Sequence, residues 1–233
     1  VICRNRLSYS PLTREIQCES RLALNAICNF NLPRVETDRG RFYATEAGHF
    51  PSVTSVLGLT SNSDWLDSWV NRVGKEEADK IGLQASLRGT NFHTLCASYL
   101  MGEKFDPCVG AAWFSFLATW KYLEEISEVQ MLESAVFSKR LKYAGTLDCL
   151  AKFRGKTTLI DFKSYGRQKS IEDLDSAFIQ CALYSLSDQV EGVEQLCVIY
   201  GSEKSSGCEV IPFSEGIKMK ARARVRQYWE MQK

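Results

Sequence analysis

Two aspartates and a lysine offer the most direct chemistry in this chain. The segment Tyr143–Lys163 reads as two strand-like runs flanking Arg154-Gly155, a dipeptide suited to a two-residue hairpin loop. Residues pair outward from such a loop, so Phe153 opposes Lys156 and, five steps on, Asp148 opposes Asp161. Directly opposed Cβ atoms lie about 4.5–5.5 Å apart, where like charges are destabilising. A bound cation reverses that sign. Strand alternation puts Lys163 on the face of Asp161, so one face presents two carboxylates and an ammonium group. Hard oxygen ligands at this separation suit Mg²⁺ or Mn²⁺. Such an ion could polarise a phosphodiester and acidify a water, while Lys163 positions the nucleophile or stabilises developing negative charge. The ordinary alternative for Asp-x-Lys is a solvated strand end with an ion pair. Against it stand the opposed register and the apolar neighbours Leu159, Ile160 and Phe162, which read as a strand end emerging from the core.

The elements that must position these groups are legible in outline. Arg41–Thr45 reads as a short strand, with a turn at Ala47-Gly48. Ser61 and Asp64 suit a capping box ahead of Trp65, Trp69 and Val73, whose spacing of four predicts one buried helical face. Helices are predicted over Ala85–Leu100 and Ala111–Ser127, the latter with Trp113, Leu117, Trp120 and Leu123/Glu124 as its packing stripe. Strands follow at Ser134–Phe137, Thr146–Phe153 and Thr157–Phe162, then a helix near Asp175–Ser187, a strand at Gln195–Tyr200 and a last helix after Ser214. This order predicts a mixed α/β domain. Residues 1–40 show no clean period and read as an N-terminal extension of unassigned role, with 41–233 as a single domain.

Gly145-Thr-Leu-Asp148, Ile160-Asp161-Phe162-Lys163 and Gln180-x-x-x-Tyr184 together resemble the RecB-like branch of the PD-(D/E)XK nucleases. Upstream, Arg88-Gly-Thr-x-x-His93 is similar to that family's helical histidine motif. Phe50-Pro-Ser-Val-Thr54 is similar to the start of the phage and mitochondrial genome-maintenance exonuclease group, and Glu133 with Ser138 to the strand before Gly145. The resemblance spans about residues 41–200. It implies a restriction-endonuclease-like core sheet flanked by helices, and a Mg²⁺ or Mn²⁺ ion surrounded by Asp148, Asp161, the backbone carbonyl of Phe162 and His93. Lys163 would be the catalytic lysine, with Gln180 and Tyr184 supporting the site and Glu133 orienting the lysine or a second metal. The implied activity is a DNA exonuclease acting on free or single-stranded ends, with 5′-phosphate and 3′-hydroxyl products, in phage recombination or genome processing or in organelle DNA maintenance. Two departures stand out: Ala97 where relatives often carry glutamate, and Ser164 where a threonine commonly follows the lysine. Some RecB-like nucleases hold an iron–sulfur cluster, but Cys197 and Cys208 are too sparse for one and none is expected.

For substrate contacts, the polar loop Tyr165-Gly-Arg167-Gln-Lys169 directly after Ser164 is the first candidate. The basic row Lys218, Arg222 and Arg226 on the last helix is the second, able to hold phosphates. A solvated helix face is the ordinary reading of that row. The whole chain is balanced, with 29 Lys+Arg against 28 Asp+Glu, so a basic nucleic-acid surface must be local. Nine scattered cysteines without a CxxC pair argue against a disulfide framework or a zinc site and for a reducing compartment. The host bacterial cytoplasm of a phage and the mitochondrial matrix both fit. No apolar run of membrane length and no signal peptide is evident, so a soluble protein without membrane contact is expected. The first residue is Val, which leaves targeting open. DNA is the expected partner, with a single-strand-binding or recombination protein as a candidate companion. Two rivals are a non-catalytic DNA-binding protein retaining the fold and an endonuclease subunit dependent on a partner. Metal-dependent cleavage would eliminate the first, processive degradation of linear DNA by the isolated protein the second.

Overall fold

A computed structural model describes residues 7–9, 16–18, 30–61, 64–103, 110–165 and 174–233. A short pair, β1 (Leu7–Tyr9) and β2 (Ile16–Cys18), precedes an antiparallel meander of β3 (Arg34–Thr37), β4 (Gly40–Thr45) and β5 (Gly48–Pro51). Ser52 then caps α1 (Val53–Leu59), its side chain accepting from the Ser55 N–H at 2.9 Å. Next come α2 (Asp64–Val73), α3 (Lys75–Met101) and α4 (Ala111–Leu123). The sheet that follows is built from β6 (Ile126–Ser138), β7 (Tyr143–Phe153), β8 (Lys156–Ser164), β9 (Gln195–Gly201) and β10 (Ser206–Pro212), in the spatial order β10-β9-β8-β7-β6. α5 (Asp175–Ser185) joins β8 to β9, and α6 (Glu215–Met231) follows the last strand.

β6, β7 and β8 run antiparallel, whereas β8 and β9 pair parallel through the α5 crossover, which makes the sheet mixed. Arg154 and Gly155 both have positive φ, 50° and 79°, as a type I′ hairpin requires. The ladder then runs from Phe153↔Lys156 to Cys149↔Ile160, the register read from the sequence.

Both faces of the sheet are covered. On one side Val56, Phe178, Leu183, Ala221 and Val225 of α1, α5 and α6 pack on Leu147, Leu150, Leu159 and Val198. On the other, Phe92, Leu95, Phe116 and Leu123 of α3 and α4 pack on Cys149, Phe153, Ile160 and Ile199. Among the described residues no helix is long and apolar enough to cross a membrane.

Three expectations shift. α3 begins at Lys75 rather than Ala85: its N-terminal half buries little, leaving Ile81, Leu83 and Leu87 exposed, so no apolar period marks it, and only Glu76 and Glu77 in the first turn signal the start. α4 ends at Leu123 and buries Ala112, Ser115, Phe116, Thr119 and Leu123, which leaves Trp113 and Trp120 half-buried and Leu117 exposed. Small residues let that helix lie close to the sheet, turning the large aromatics to its flank. In α2, Trp69 and Val73 are only half-buried, and the Trp65 side chain lies outside the described residues.

Candidate active site

Asp148 and Asp161 sit one step beyond the last rung of the β7–β8 ladder, where the two strands part. There the Phe162 N–H donates to Asp148 Oδ2 at 2.8 Å instead of continuing the antiparallel ladder, while β8 stays paired with β9 through Ser164. The flanking rungs Leu132↔Cys149 and Ser134↔Leu147 bring Glu133 of β6 opposite Asp148. Three carboxylates therefore form a row across three neighbouring strands. Glu133 has φ of 45°, left-handed backbone that typically costs a non-glycine residue about 1–3 kcal/mol and that clusters at functional sites.

α3 supplies the fourth group. Phe92, Leu95 and Cys96 anchor its C-terminal half in the core, and His93 emerges edge-on to the Phe162 ring, 6.3 Å between centroids. His93 Nδ1 lies 3.5 Å from Asp148 Oδ1 and 3.6 Å from Glu133 Oε1. One ligand atom from each of His93, Glu133 and Asp148 falls within 4.8 Å of the others. Burial alone would lower the His93 pKa, but the Asp148 and Glu133 carboxylates outweigh it and raise it to about 9. Burial pushes Asp148 above the usual carboxylate range, against the pull of His93 and Lys163.

Asp161, 1% exposed, stands beside this group but is engaged elsewhere. Lys163 Nζ donates to its Oδ1 at 2.8 Å and lies 2.7 Å from Oδ2, though without hydrogen-bonding geometry to that second oxygen. Gln180 Nε2 donates to Oδ1 at 3.0 Å, and Gln180 Oε1 is 3.5 Å from Lys163 Nζ. Burial raises the Asp161 pKa to about 6 despite Lys163. For Lys163, burial works downward, but Asp161 and Asp148 prevail and hold it well above the ordinary lysine value.

Two buried oxygens here, Glu133 Oε1 and Asp161 Oδ2, have no hydrogen-bond donor. Asp161 Oδ2 faces the Lys163 ammonium, whereas Glu133 Oε1, beside the His93 imidazole and Asp148, belongs to a donor set that fits a hard divalent cation. His93, Glu133 and Asp148 could hold one as they stand, with Asp161 adjacent. Glu133 has a lesser part in the sequence reading because the turn that sets its position opposite Asp148, Lys139-Arg-Leu-Lys142, contains no glycine, proline, asparagine or aspartate to mark it. Phe162 contributes its N–H to Asp148 and its ring to His93.

The remaining predicted residues divide. Tyr184, 3% exposed, packs over Gly145: a Cβ there would meet its Cε1 at 2.7 Å, which accounts for the glycine in Gly145-Thr-Leu-Asp148. Ser164 pairs with Gly201 at the end of β8, its Oγ buried without a partner, and Tyr165 lies against Tyr200. Arg167 and Lys169 lie outside the described residues. Lys218, Arg222 and Arg226 are on α6; Lys218 sits over the Phe213 ring at 4.4 Å and Arg222 binds Glu215 at 2.6 Å, so neither joins the carboxylate row. Ala97 lines a cavity of about 510 Å³ that opens beside His93 and Glu133, together with Thr90, Thr94 and Ser98. Its methyl group leaves open the space a glutamate would fill. The helical spacing of Thr90, Thr94 and Ser98 was a signal available in the sequence.

No protein-family model matches the chain. Over 136 residues it is 34% identical to mitochondrial genome maintenance exonuclease 1 of Mus musculus, covering 52% of this chain and 38% of that protein. The Xenopus tropicalis protein of the same name is 30% identical over 149 residues, 59% of this chain and 42% of the relative. The Homo sapiens protein is 28% identical over 131 residues, 51% and 38%. The chain is a homologue of these exonucleases. This is the group its motifs resemble, and the chain spans about two fifths of the length of these curated relatives.

Proposed function

We propose that this chain is a Mg²⁺- or Mn²⁺-dependent deoxyribonuclease of the PD-(D/E)XK type that hydrolyses phosphodiester bonds from free or single-stranded DNA ends. The observation that carries it is the row Glu133–Asp148–Asp161 with His93 at one end and the Asp161–Lys163 pair at the other. The naming of the homologues as exonucleases supports the same activity, and their mitochondrial names favour organelle DNA maintenance over a phage role. Residues 41–233 act as one nuclease domain, with the β6–β9 sheet, α3 and α5 as its core and 1–40 as an extension that includes strand β3 of the meander. The free thiols of Cys96, Cys149, Cys181, Cys197 and Cys208 suit a reducing compartment such as the matrix.

His93, Glu133 and Asp148, joined by Asp161 and the Phe162 carbonyl, would hold the ion. When bound, it supplies Lewis acidity towards a phosphoryl oxygen and acidifies a water. Lys163 stays protonated at neutral pH, so it acts as a donor that orients the attacking water or stabilises charge on the phosphoryl oxygens, not as a base. Asp161 and Gln180 fix its ammonium group from two sides. Ser164 and Tyr165 at the end of β8, with Arg167 and Lys169 a few residues on in sequence, are the proposed contacts to the substrate strand.

The test is degradation of end-labelled linear and covalently closed DNA, single- and double-stranded, with Mg²⁺, Mn²⁺ or EDTA, comparing wild type with Lys163→Ala. Metal-dependent loss of linear substrate alone, abolished by the substitution, is expected. DNA binding with no cleavage of any substrate would overturn the nuclease reading.

A further inference from the structure

We propose that a basic groove at the far end of the β6–β7 hairpin anchors the phosphate backbone of the single DNA strand whose end occupies the candidate active site. The proposal rests on the nuclease reading for the identity of the strand. The groove, of about 350 Å³, lies between the β6–β7 turn and the C-terminal part of α6, and its walls include Arg140, Lys142, Arg222, Arg226 and Trp229, with Glu230 as its single carboxylate. The Trp229 indole donates to the Leu141 carbonyl at 3.2 Å, which ties the turn to the helix and satisfies the ring's polar end. Among the described residues, Arg140, Lys142 and Arg226 have no carboxylate within 4.0 Å. The neighbouring cations differ: Lys139 binds Glu46 at 2.6 Å and Lys220 binds Asp175 at 3.0 Å.

In a chain with net charge of only +1, such a concentration of unpaired cations is local. Guanidinium forks match phosphate oxygens, and an aromatic face among cations is the composition of grooves that track single strands. A groove of this size admits a phosphate and its sugar. The same two strands carry the groove and the carboxylate row. Lys142 is six residues from Asp148, about 20 Å at roughly 3.4 Å per residue. A strand rising about 3.4 Å per nucleotide, as in duplex geometry, spans that distance in about six nucleotides.

The experiment measures binding of fluorescent dT20 in EDTA across a salt series, without cleavage, for the whole chain, for Arg140→Ala/Arg226→Ala, and for the charge-matched control Lys121→Ala/Lys156→Ala. Losing two phosphate contacts should lower the slope of log K against log salt by about 1.4, at about 0.7 per contact for single strands. The double variant should bind dT20 several-fold more weakly at 100 mM salt with an unchanged melting temperature, while the control and binding of a 20-base-pair duplex stay as in wild type. An unchanged slope, or equal losses in the control or on the duplex, would overturn the groove. The nuclease reading fails separately: cleavage absent while groove-dependent binding persists refutes the enzyme and leaves the anchor standing.

Discussion

Proton and metal ion compete for His93, and the competition should set how metal affinity varies with pH. His93 is protonated in the metal-free site up to about pH 9, because the Asp148 and Glu133 carboxylates favour the imidazolium over the opposing effect of burial. An imidazole can ligate only when neutral. At pH 7 its proton must therefore leave across about two pKa units, roughly 3 kcal/mol at about 1.4 kcal/mol per unit. The Kd for Mg²⁺ should fall about tenfold per pH unit between 7 and 9 and level off above, with close to one proton released per ion at pH 7. The same group sets the sign for metal-free stability: its folded pKa lies above the unfolded value of about 6.5, so its contribution is complete below that and is lost as pH rises through about 9. Calorimetric titration of EDTA-stripped protein with Mg²⁺ at pH 7, 8 and 9, in buffers of different ionisation enthalpy, measures affinity and proton release together. His93→Gln should bind more weakly but with a flat profile. A pH-independent Kd in wild type, or the same slope in His93→Gln, would refute the reasoning.

Glu133→Gln should weaken Mg²⁺ binding at least about tenfold, which calorimetry at fixed pH would show; an unchanged Kd would remove Glu133 from the metal group. Lys163→Met should lower single-turnover cleavage by about 10²–10³-fold while Mg²⁺ binding persists, as expected for removal of a donor to transition-state charge. In EDTA, Asp161 has a folded pKa of about 6 against an unfolded value near 3.9, so its burial costs about 3 kcal/mol above pH 6. Denaturant midpoints should accordingly fall as pH rises from about 4 to 6, and Asp161→Asn should remove that segment of the profile. Gly145→Ala drives a methyl into the Tyr184 ring and should cost about 1–3 kcal/mol by thermal melting, with Tyr184→Leu recovering part of the loss.

Short-range regularities determined much of this protein. The β7–β8 register follows from a two-residue turn and the period of two, and so places Asp148 across from Asp161. Ser52 and Ser214 precede α1 and α6, and the apolar runs of β8 and β9 read directly as buried strands. Contacts between distant segments were decided only by the tertiary structure. Glu133 reaches Asp148 through a β6–β7 register that runs unbroken from Ser138↔Tyr143 to Met131↔Leu150, set by a turn, Lys139-Arg-Leu-Lys142, with none of the residues that mark a turn in sequence. Asp161 points to Lys163 and Gln180 because β8 leaves β7 and pairs with β9, a parallel match joined by a crossover of variable length. The exposed half of α3 carries no apolar period, and the basic groove needs a turn and a helix about 80 residues apart. Local sequence encodes torsion and alternation; which surfaces meet depends on burying both faces of one sheet at once.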